Sequence, residues 1–390
     1  MTHLSNAAHY DALIVGARCA GAATAMLLAR AGAKVLVVDR DPAGSDTMST
    51  HALMRGAVEQ LDRWGLLDRL IVAGTPRVGW TTFHYGPESY PVEIRPSGGI
   101  DGLIAPRRSL LDGELVTAAR AAGAEVRHRT SLVGLVHDAT GRVRGARLSP
   151  ARGSEYEITA DLVIGADGRR STLARHVKAR TLIETPNRSG CVYAYFDGIR
   201  DRGYQWFYDT RATAGAIPTN AGLHCVFAAV PDGVFRAARR GVDPKALLLT
   251  LAGKANAELA RELAEAKMRE RPILFSGANG HLRQSHGPGW ALVGDAGYFK
   301  DPVSAHGISD ALRDAEILSR EVLGAEPDAL ATYQATRDAL SHDLFRTTDR
   351  MASYDWSLRG MQRLHMQLKD AMKAELTWMR EYFEPVATAA

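Results

Sequence analysis

Apolar residues recur along this chain with two different periods, and the switch from one to the other marks out its elements. Ala12–Val15 is a short apolar run of strand length, Gly21–Ala31 carries apolar residues at helical spacing, and Lys34–Val38 is rich in valine, so the opening predicts strand, helix, strand. Leu53, Val58, Leu61, Leu66 and Leu67 predict a helix within Thr50–Leu70, with Ser49 and Thr50 placed to cap it. Strands are expected over Arg77–Ile94, a second helix over Arg108–Ala121, and further strands near Ala124–Arg129, Val143–Leu148 and Asp161–Ile164, with a hairpin turn at Thr140-Gly141. From Cys191 to Val230 the runs are short, ring-rich and separated by Gly, Asn and Pro, which predicts an inserted antiparallel sheet. Ala291–Val293 returns to a buried-strand pattern and Ile308–Leu323 to a helical one. Asp343–Phe383 repeats apolar residues at helical spacings and predicts two or three amphipathic helices. The fold class is α/β.

The first strand–helix–strand unit carries the clearest chemistry. Gly16 closes the first strand, Gly21 lets the helix pack tightly on the sheet, and Asp39 ends the second strand, where a carboxylate accepts hydrogen bonds from ribose hydroxyls. A dinucleotide is expected here. The middle glycine of the usual G-x-G-x-x-G fingerprint is Arg18, which takes up backbone space but offers a guanidinium that pairs with phosphate.

Composition sets the surroundings of this site. With 390 residues, 46% hydrophobic and 24% charged, the chain suits two joined lobes with ample core, and no apolar run reaches the ~18 residues of a membrane span. The opening MTHLSNAAHYD lacks a basic-then-apolar leader pattern, and the three cysteines, Cys19, Cys191 and Cys225, form no C-x-x-C pair; both features point to the cytoplasm and to no metal site. The net charge of +4 comes from scattered arginines and not from a tract, so no nucleic-acid partner is expected. Asp355, Asp370, Glu375, Glu381 and Glu384 interrupt any basic face on the C-terminal helices, which favours core packing or a homodimer contact over stable membrane insertion.

Two downstream motifs turn the nucleotide site into a family resemblance. Ala160–Arg175, ADLVIGADGRRSTLAR, resembles the GADGxxSxxR motif of FAD-dependent aromatic hydroxylases of the para-hydroxybenzoate hydroxylase type, the group A flavoprotein monooxygenases, with Gly165, Asp167, Gly168, Ser171 and Arg175 on it. Trp290–Ala315, WALVGDAGYFKDPVSAHGISDALRDA, is similar to that family's GDAAHxxxPxxGxGxN motif at Gly294, Asp295, Ala296, Pro302 and Gly307. The resemblance implies a glutathione-reductase-like Rossmann FAD-binding lobe (1–77, 101–180 and 285–340), a substrate-binding β lobe (78–100 and 181–284) and a C-terminal helical region (341–390). It implies FAD held by Gly16, Arg18, Gly21, Asp39, Arg40, Arg108, Asp167, Gly168, Gly294, Asp295, Pro302 and Gly307, with Arg107 an alternative to Arg108. Asp295 would bond the ribityl chain, Asp167 and Gly168 would lie near the pyrophosphate, and the helix from Gly307 would aim its N–H groups at the flavin pyrimidine ring.

The activity so implied is monooxygenation: NAD(P)H reduces FAD, and a flavin C4a-hydroperoxide hydroxylates or epoxidises an aromatic or polyketide-like small molecule. Tyr193, Tyr195, Trp206 and Phe227 are expected to wall the substrate pocket or to serve as sheet core, with Tyr193 and Tyr195 sharing one face and Trp206 and Tyr208 another. The third motif departs from the family at Tyr298, Ala305, His306 and Ser309. His306 and His51 are the histidines placed near the flavin, as proton shuttles or as loop-positioning groups. The same segment, Gly294–Ile308, is also similar to the GDAAGxxxPxxGxGI motif of the geranylgeranyl reductases, which implies an alternative, hydride delivery to a C=C bond. The W-x-W-x-I-P motif of flavin-dependent halogenases is absent, since Trp80, Trp206 and Trp290 occur singly.

Overall fold

A computed structural model describes residues 8–383; the segment 1–7, where no leader pattern is read, and the tail 384–390, with Glu384, lie outside the described residues. The strands are β1 (His9–Val15), β2 (Val35–Asp39), β3 (Trp80–Tyr85), β4 (Glu88–Glu93), β5 (Glu125–His128), β6 (Thr130–His137), β7 (Val143–Pro150), β8 (Tyr156–Gly165), β9 (Thr181–Glu184), β10 (Ser189–Asp197), β11 (Tyr204–Asp209), β12 (Ala212–Pro218), β13 (His224–Pro231), β14 (Lys267–Met268), β15 (Ile273–Phe275), β16 (His281–Arg283), β17 (His286–Gly287), β18 (Trp290–Leu292) and β19 (Tyr298–Phe299). The helices are α1 (Cys19–Arg30), α2 (Arg55–Arg63), α3 (Leu67–Val72), α4 (Arg108–Ala121), α5 (Thr172–His176), α6 (Asp232–Ala238), α7 (Pro244–Ala255), α8 (Ala257–Glu265), α9 (Gly307–Gly324), α10 (Ala329–Ala352) and α11 (Leu358–Phe383).

One sheet has the strand order β17-β18-β8-β1-β2-β5, and its four pairings from β18 to β5 are all parallel; the edge strand β17 and the β7–β6 ribbon on β8 run antiparallel. Its strands read as continuous apolar runs because both faces are covered, and β2 is buried at every position. A second sheet, β14-β10-β13-β12-β11-β3-β4, has β15 on β10. Here the period is two. Val192, Ala194 and Phe196 of β10 face the α6–α8 layer in one core cluster, while Tyr193 and Tyr195 face the first lobe in another. No helix among the described residues is long and apolar enough to cross a membrane.

The structure corrects two local expectations. The helix expected over Thr50–Leu70 is two helices, separated at Gly65 (φ +73°), and the first starts only at Arg55 behind Met54, which makes no side-chain cap. Ser49 and Thr50 cannot cap it, because His51 adopts a left-handed backbone (φ 67°) that turns the chain before the helix begins; the Ser49 hydroxyl accepts from the His51 N–H instead. The inserted sheet is also not purely antiparallel. β3 reaches it from before α4 and lies parallel to β11, as a strand that enters by a long crossover does.

The tightest point of the fold is where α1 leaves β1. Gly16 (φ +107°) has no room for a side chain, since a Cβ there would stand 2.4 Å from the Ala166 carbonyl oxygen, and a Cβ on Gly21 would stand 1.9 Å from the Gly16 oxygen. Backbone has nowhere to go. Gly21→Ala should therefore push α1 off the sheet and lose ~1–3 kcal/mol of stability; a lowered urea midpoint with an unchanged slope is the outcome to look for.

Candidate functional site

The turn from β1 into α1 has the donor set of an anion cradle. Arg18 occupies the N-cap of α1 in extended conformation with no side-chain cap, so the first-turn N–H groups of the helix are left for a ligand. Its Nη2 lies 3.1 Å from Asp41 Oδ2, while its Nη1 is buried with no hydrogen-bond partner. A pyrophosphate fits that unmet donor. Asp39 accepts from Ala17 N–H (2.7 Å) and Asp41 N–H (2.8 Å), one to each oxygen, which fixes the carboxylate at the strand end and leaves lone pairs for ribose hydroxyls. A cleft of about 200 Å³ runs beside these groups, lined among others by Ala17, Arg18, Asp39, Pro42, Gly113 and His128. The Arg40 side chain is largely exposed at the rim.

Deeper in, Gly294 (φ +59°) packs so closely on α1 that a Cβ would stand 2.9 Å from that of Ala20. The next residue, Asp295, is part-exposed, and desolvation pushes its carboxyl up to about 6 against the pull of Lys300, Arg108 and Arg169. Among the described residues its hydrogen bonding is confined to the backbone oxygen, which meets His281 Nε2 at 3.3 Å. This is an acceptor without a donor. The hydroxyls of a ribityl chain would fit it. Arg108 binds Asp112 at 3.0 Å, and the Cys19 thiol donates to the same carboxylate at 3.0 Å, so a buried arginine is held in place within the field of Asp295. Arg107 points elsewhere: its guanidinium stacks 3.7 Å over the Tyr195 ring and binds Glu270 at 2.8 Å.

Asp167 is placed beside Gly16 by the β1–β8 pairing, but its carboxylate is spent on the start of α5, accepting from Ser171 Oγ and Thr172 N–H at 2.5 Å each. Its side chain is a helix cap. Gly168 (φ +76°) makes the turn between them. In the third motif Asp301 receives the N–H and hydroxyl of Ser189, both at 2.7 Å, and caps the short turn that Pro302 opens, tying this loop to β10. Ala305 takes the left-handed conformation (φ 50°) at the place where the family pattern has glycine, and exposed Gly307 then begins the 18 residues of α9 with its N-terminus free.

His306 and His51 are both buried, and the structure does not bring them together. His51 contacts the Tyr195 hydroxyl through Nε2, its Nδ1 has no partner, and burial, then Arg108 and Arg107, hold its pKa well below the usual imidazole range. Burial raises the Tyr195 phenol, so this pair is neutral at physiological pH. His306 lies 2.7 Å from Glu375 of α11, within a buried group of Lys300, Asp310, Arg313 and Asp314. His306, Asp310 and Glu375 converge closely enough to gather a metal ion, but Lys300 on Asp310 and Arg313 on Glu375 already take the cation's positions. From sequence, Glu375 counts only as one of the acids that interrupt any basic face on the C-terminal helices. It is buried instead, on the same face of α11 as Leu368, Met379 and Phe383, a spacing by which the sequence could have disclosed it.

The aromatic residues expected to split between two faces share one. Cross-strand pairing runs Tyr193, Phe227, Gly215, Trp206 in a single row, so their side chains leave the sheet on the same side, as do Tyr195 and Tyr208. Gly215 allows this, since a Cβ there would stand 2.3 Å from the Phe227 ring. Tyr193, Tyr195 and Trp206 are buried in one apolar cluster with Leu53, Ile104 and Leu312, and Phe227 packs at its margin.

Comparison with known proteins agrees with this geometry. The family described as FAD binding domain matches residues 9–348. The chain is 26% identical over 408 aligned residues to a digeranylgeranylglycerophospholipid reductase of Methanosarcina mazei, covering 94% of this chain and 92% of the relative. It is 28% identical to a menaquinone reductase of Mycolicibacterium smegmatis, covering 79% and 75% respectively. Among solved structures, the flavin-dependent brominase Bmp2 has the same fold, with a TM-score of 0.80 at 18% identity over 94% of this chain and 93% of that one.

Asp295 yields a test in which stability and binding move in opposite directions. A carboxyl whose folded pKa is raised from 3.8 to about 6 favours the fold fully below pH 3.8 and loses that contribution as pH rises through 6. Asp295→Asn should thus make the flavin-free protein more stable than the parent above pH 6, by at most ~3 kcal/mol, with the difference vanishing near pH 4. FAD affinity should fall at least about tenfold in the same variant, since a carboxylate bonded to hydroxyls is lost. Thermal melts across pH and a flavin titration read the two effects.

Proposed function

The chain belongs to the FAD binding domain family and is an FAD-dependent oxidoreductase, and from that premise we propose that it reduces carbon–carbon double bonds of an apolar, isoprenoid-type small molecule. The observation that carries this is the Tyr195–His51 pair, a neutral proton donor set in an aromatic wall. Saturating a double bond requires a hydride on one carbon and a proton on the other. Bound FAD, reduced by NAD(P)H, supplies the hydride. This chain's residues must supply the proton and a dry, apolar berth. With His51 Nε2–H donating to the phenol oxygen, the phenolic hydrogen of Tyr195 is free to be handed on, and burial keeps that phenol protonated. Arg107 holds the nearby carboxylates Asp46 and Glu270, so the wall presents no free anion. Likeness to two reductases over most of the chain, one named for a lipid and one for a quinone, supports an apolar substrate. Three free, buried cysteines support a reducing, cytoplasmic setting.

Monooxygenation of an aromatic substrate is the second reading, and the GADGxxSxxR pattern at Asp167 favours it. Oxygen dependence separates the two. The reduced holoenzyme, mixed without oxygen with geranylgeraniol or menaquinone, should reoxidise its flavin and return a product heavier by two hydrogens per reduced bond. Tyr195→Phe should slow that step ~10²–10⁴-fold with FAD content unchanged. A product gaining one oxygen atom, formed only in air, would replace the reductase reading with the monooxygenase one.

A further inference from the structure

The FAD-binding family spans residues 9–348, yet the group that grips the loop before α9 comes from beyond that span. α11 is tied at two points on either side of Glu375. His365 Nδ1 lies 2.6 Å from the Tyr85 hydroxyl on the second sheet, and Arg380 Nε donates to Glu59 of α2 at 3.0 Å. The helix between these anchors is straight enough in register to deliver Glu375 to the amino end of α9, where Oε2 meets His306 Nε2 at 2.7 Å and Oε1 meets the Arg313 guanidinium. Arg313, fully buried, also binds Asp314 at 2.6 Å and Ser341 of α10 at 2.9 Å.

These contacts dictate the state of His306. Every charged group facing it is accounted for: Lys300 from the preceding loop, Asp310, Arg313 and Asp314 from α9, and Glu375 from α11. Although burial alone would raise it, the hydrogen bond from His306 and the charge of Arg313 hold the Glu375 carboxyl below the usual carboxylate range, so it is ionised and only accepts. Burial draws the His306 pKa down against the pull of Glu375, and because the carboxylate only accepts, the hydrogen between the two sits on Nε2 while Nδ1 has no partner. His306 is the N-cap of α9, its carbonyl receives the Asp310 N–H at 3.0 Å, and Ala305 beside it is held left-handed.

We propose that Glu375 is a positioning residue of the FAD site, acting through His306: it fixes the imidazole as the Nε2–H tautomer and thereby holds Pro302–Gly307 in the shape that presents the α9 N-terminus to the cofactor. The inference rests on FAD binding and not on the double-bond reduction proposed above. A merely structural glutamate would stabilise the fold without acting through one imidazole, and a double-mutant cycle distinguishes the two. FAD affinity is measured by titrating flavin-free protein for the parent, Glu375→Ala, His306→Ala and the double variant. Glu375→Ala should weaken FAD binding about tenfold in the parent background and less than about twofold when His306 is already alanine. Equal losses in both backgrounds, or none in either, would overturn the proposal.

The Glu375→Ala change takes one carboxylate partner from buried Arg313, so a second reading is taken on the unaltered holoenzyme. Nitrogen-15 NMR of histidine-labelled protein, assigned by comparison with His306→Ala, should show His306 protonated at Nε2 and bare at Nδ1. An Nδ1–H ring, or a doubly protonated one at neutral pH, is the contrary result. Neither measurement involves a turnover substrate, so a failed reductase assay leaves both intact.

Discussion

The structure depends on the alignment of parallel strand ends. Val15 of β1 pairs with Val38 of β2 and with Gly165 of β8, and Gly165 pairs in turn with Leu292 of β18. Four strands therefore stop at one level, and the residues that follow emerge along one edge: Gly16, Asp39, Asp167 and, after the Gly294 turn, Asp295. A crevice beyond the carboxyl ends of parallel strands is where such sheets bind ligands. The register of the first sheet, set by apolar runs that must be buried on both faces, is thus what brings the Arg18 turn and the carboxyl groups of Asp39 and Asp295 to one edge of the sheet.

Against that frame, α9 and α11 bury an uncommon amount of charge. Lys300, Asp310, Arg313, Asp314 and Glu375 are all inside, and desolvation of such groups offsets most of what their mutual attraction contributes. Net stability is a weak reason for keeping them. Placement is a better one, because each partner left alone would be a costly buried charge, so the group tolerates only one arrangement of α9, α10 and α11. Lys300 shows the strain of this setting, its ammonium pushed down to about 7 by burial and by Arg313.

The second sheet contributes a wall with one chemical character. Its period-two pattern sends Val192, Ala194 and Phe196 into the α6–α8 layer and the tyrosines toward the FAD lobe. Tyr195 is the point where that wall gains polarity, between the His51 ring and the Arg107 guanidinium. His51 owes its place to a left-handed backbone turn, a strained conformation for a residue with a side chain, and the surrounding core holds it there.

The nucleotide unit is legible from its residues alone, because its signals are local: strand, glycine turn, helix and acid lie within thirty residues and obey backbone sterics that no distant contact overrides. The same holds for α4 and α9, whose periodicity is long and whose bounds follow from it. Everything that depends on which element lies next to which comes from the packing of the folded chain. Period two places Tyr193 with Tyr195 and Trp206 with Tyr208, but their common face follows from the pairing through β12 and β13, which no single strand encodes. Asp167 reads as a cofactor ligand in its motif, while the direction of its carboxylate depends on how α5 begins. Glu375 is one charge among several along α11, and it becomes a partner of His306 only because anchors at Tyr85 and Glu59, hundreds of residues earlier in the chain, set the helix across the amino end of α9.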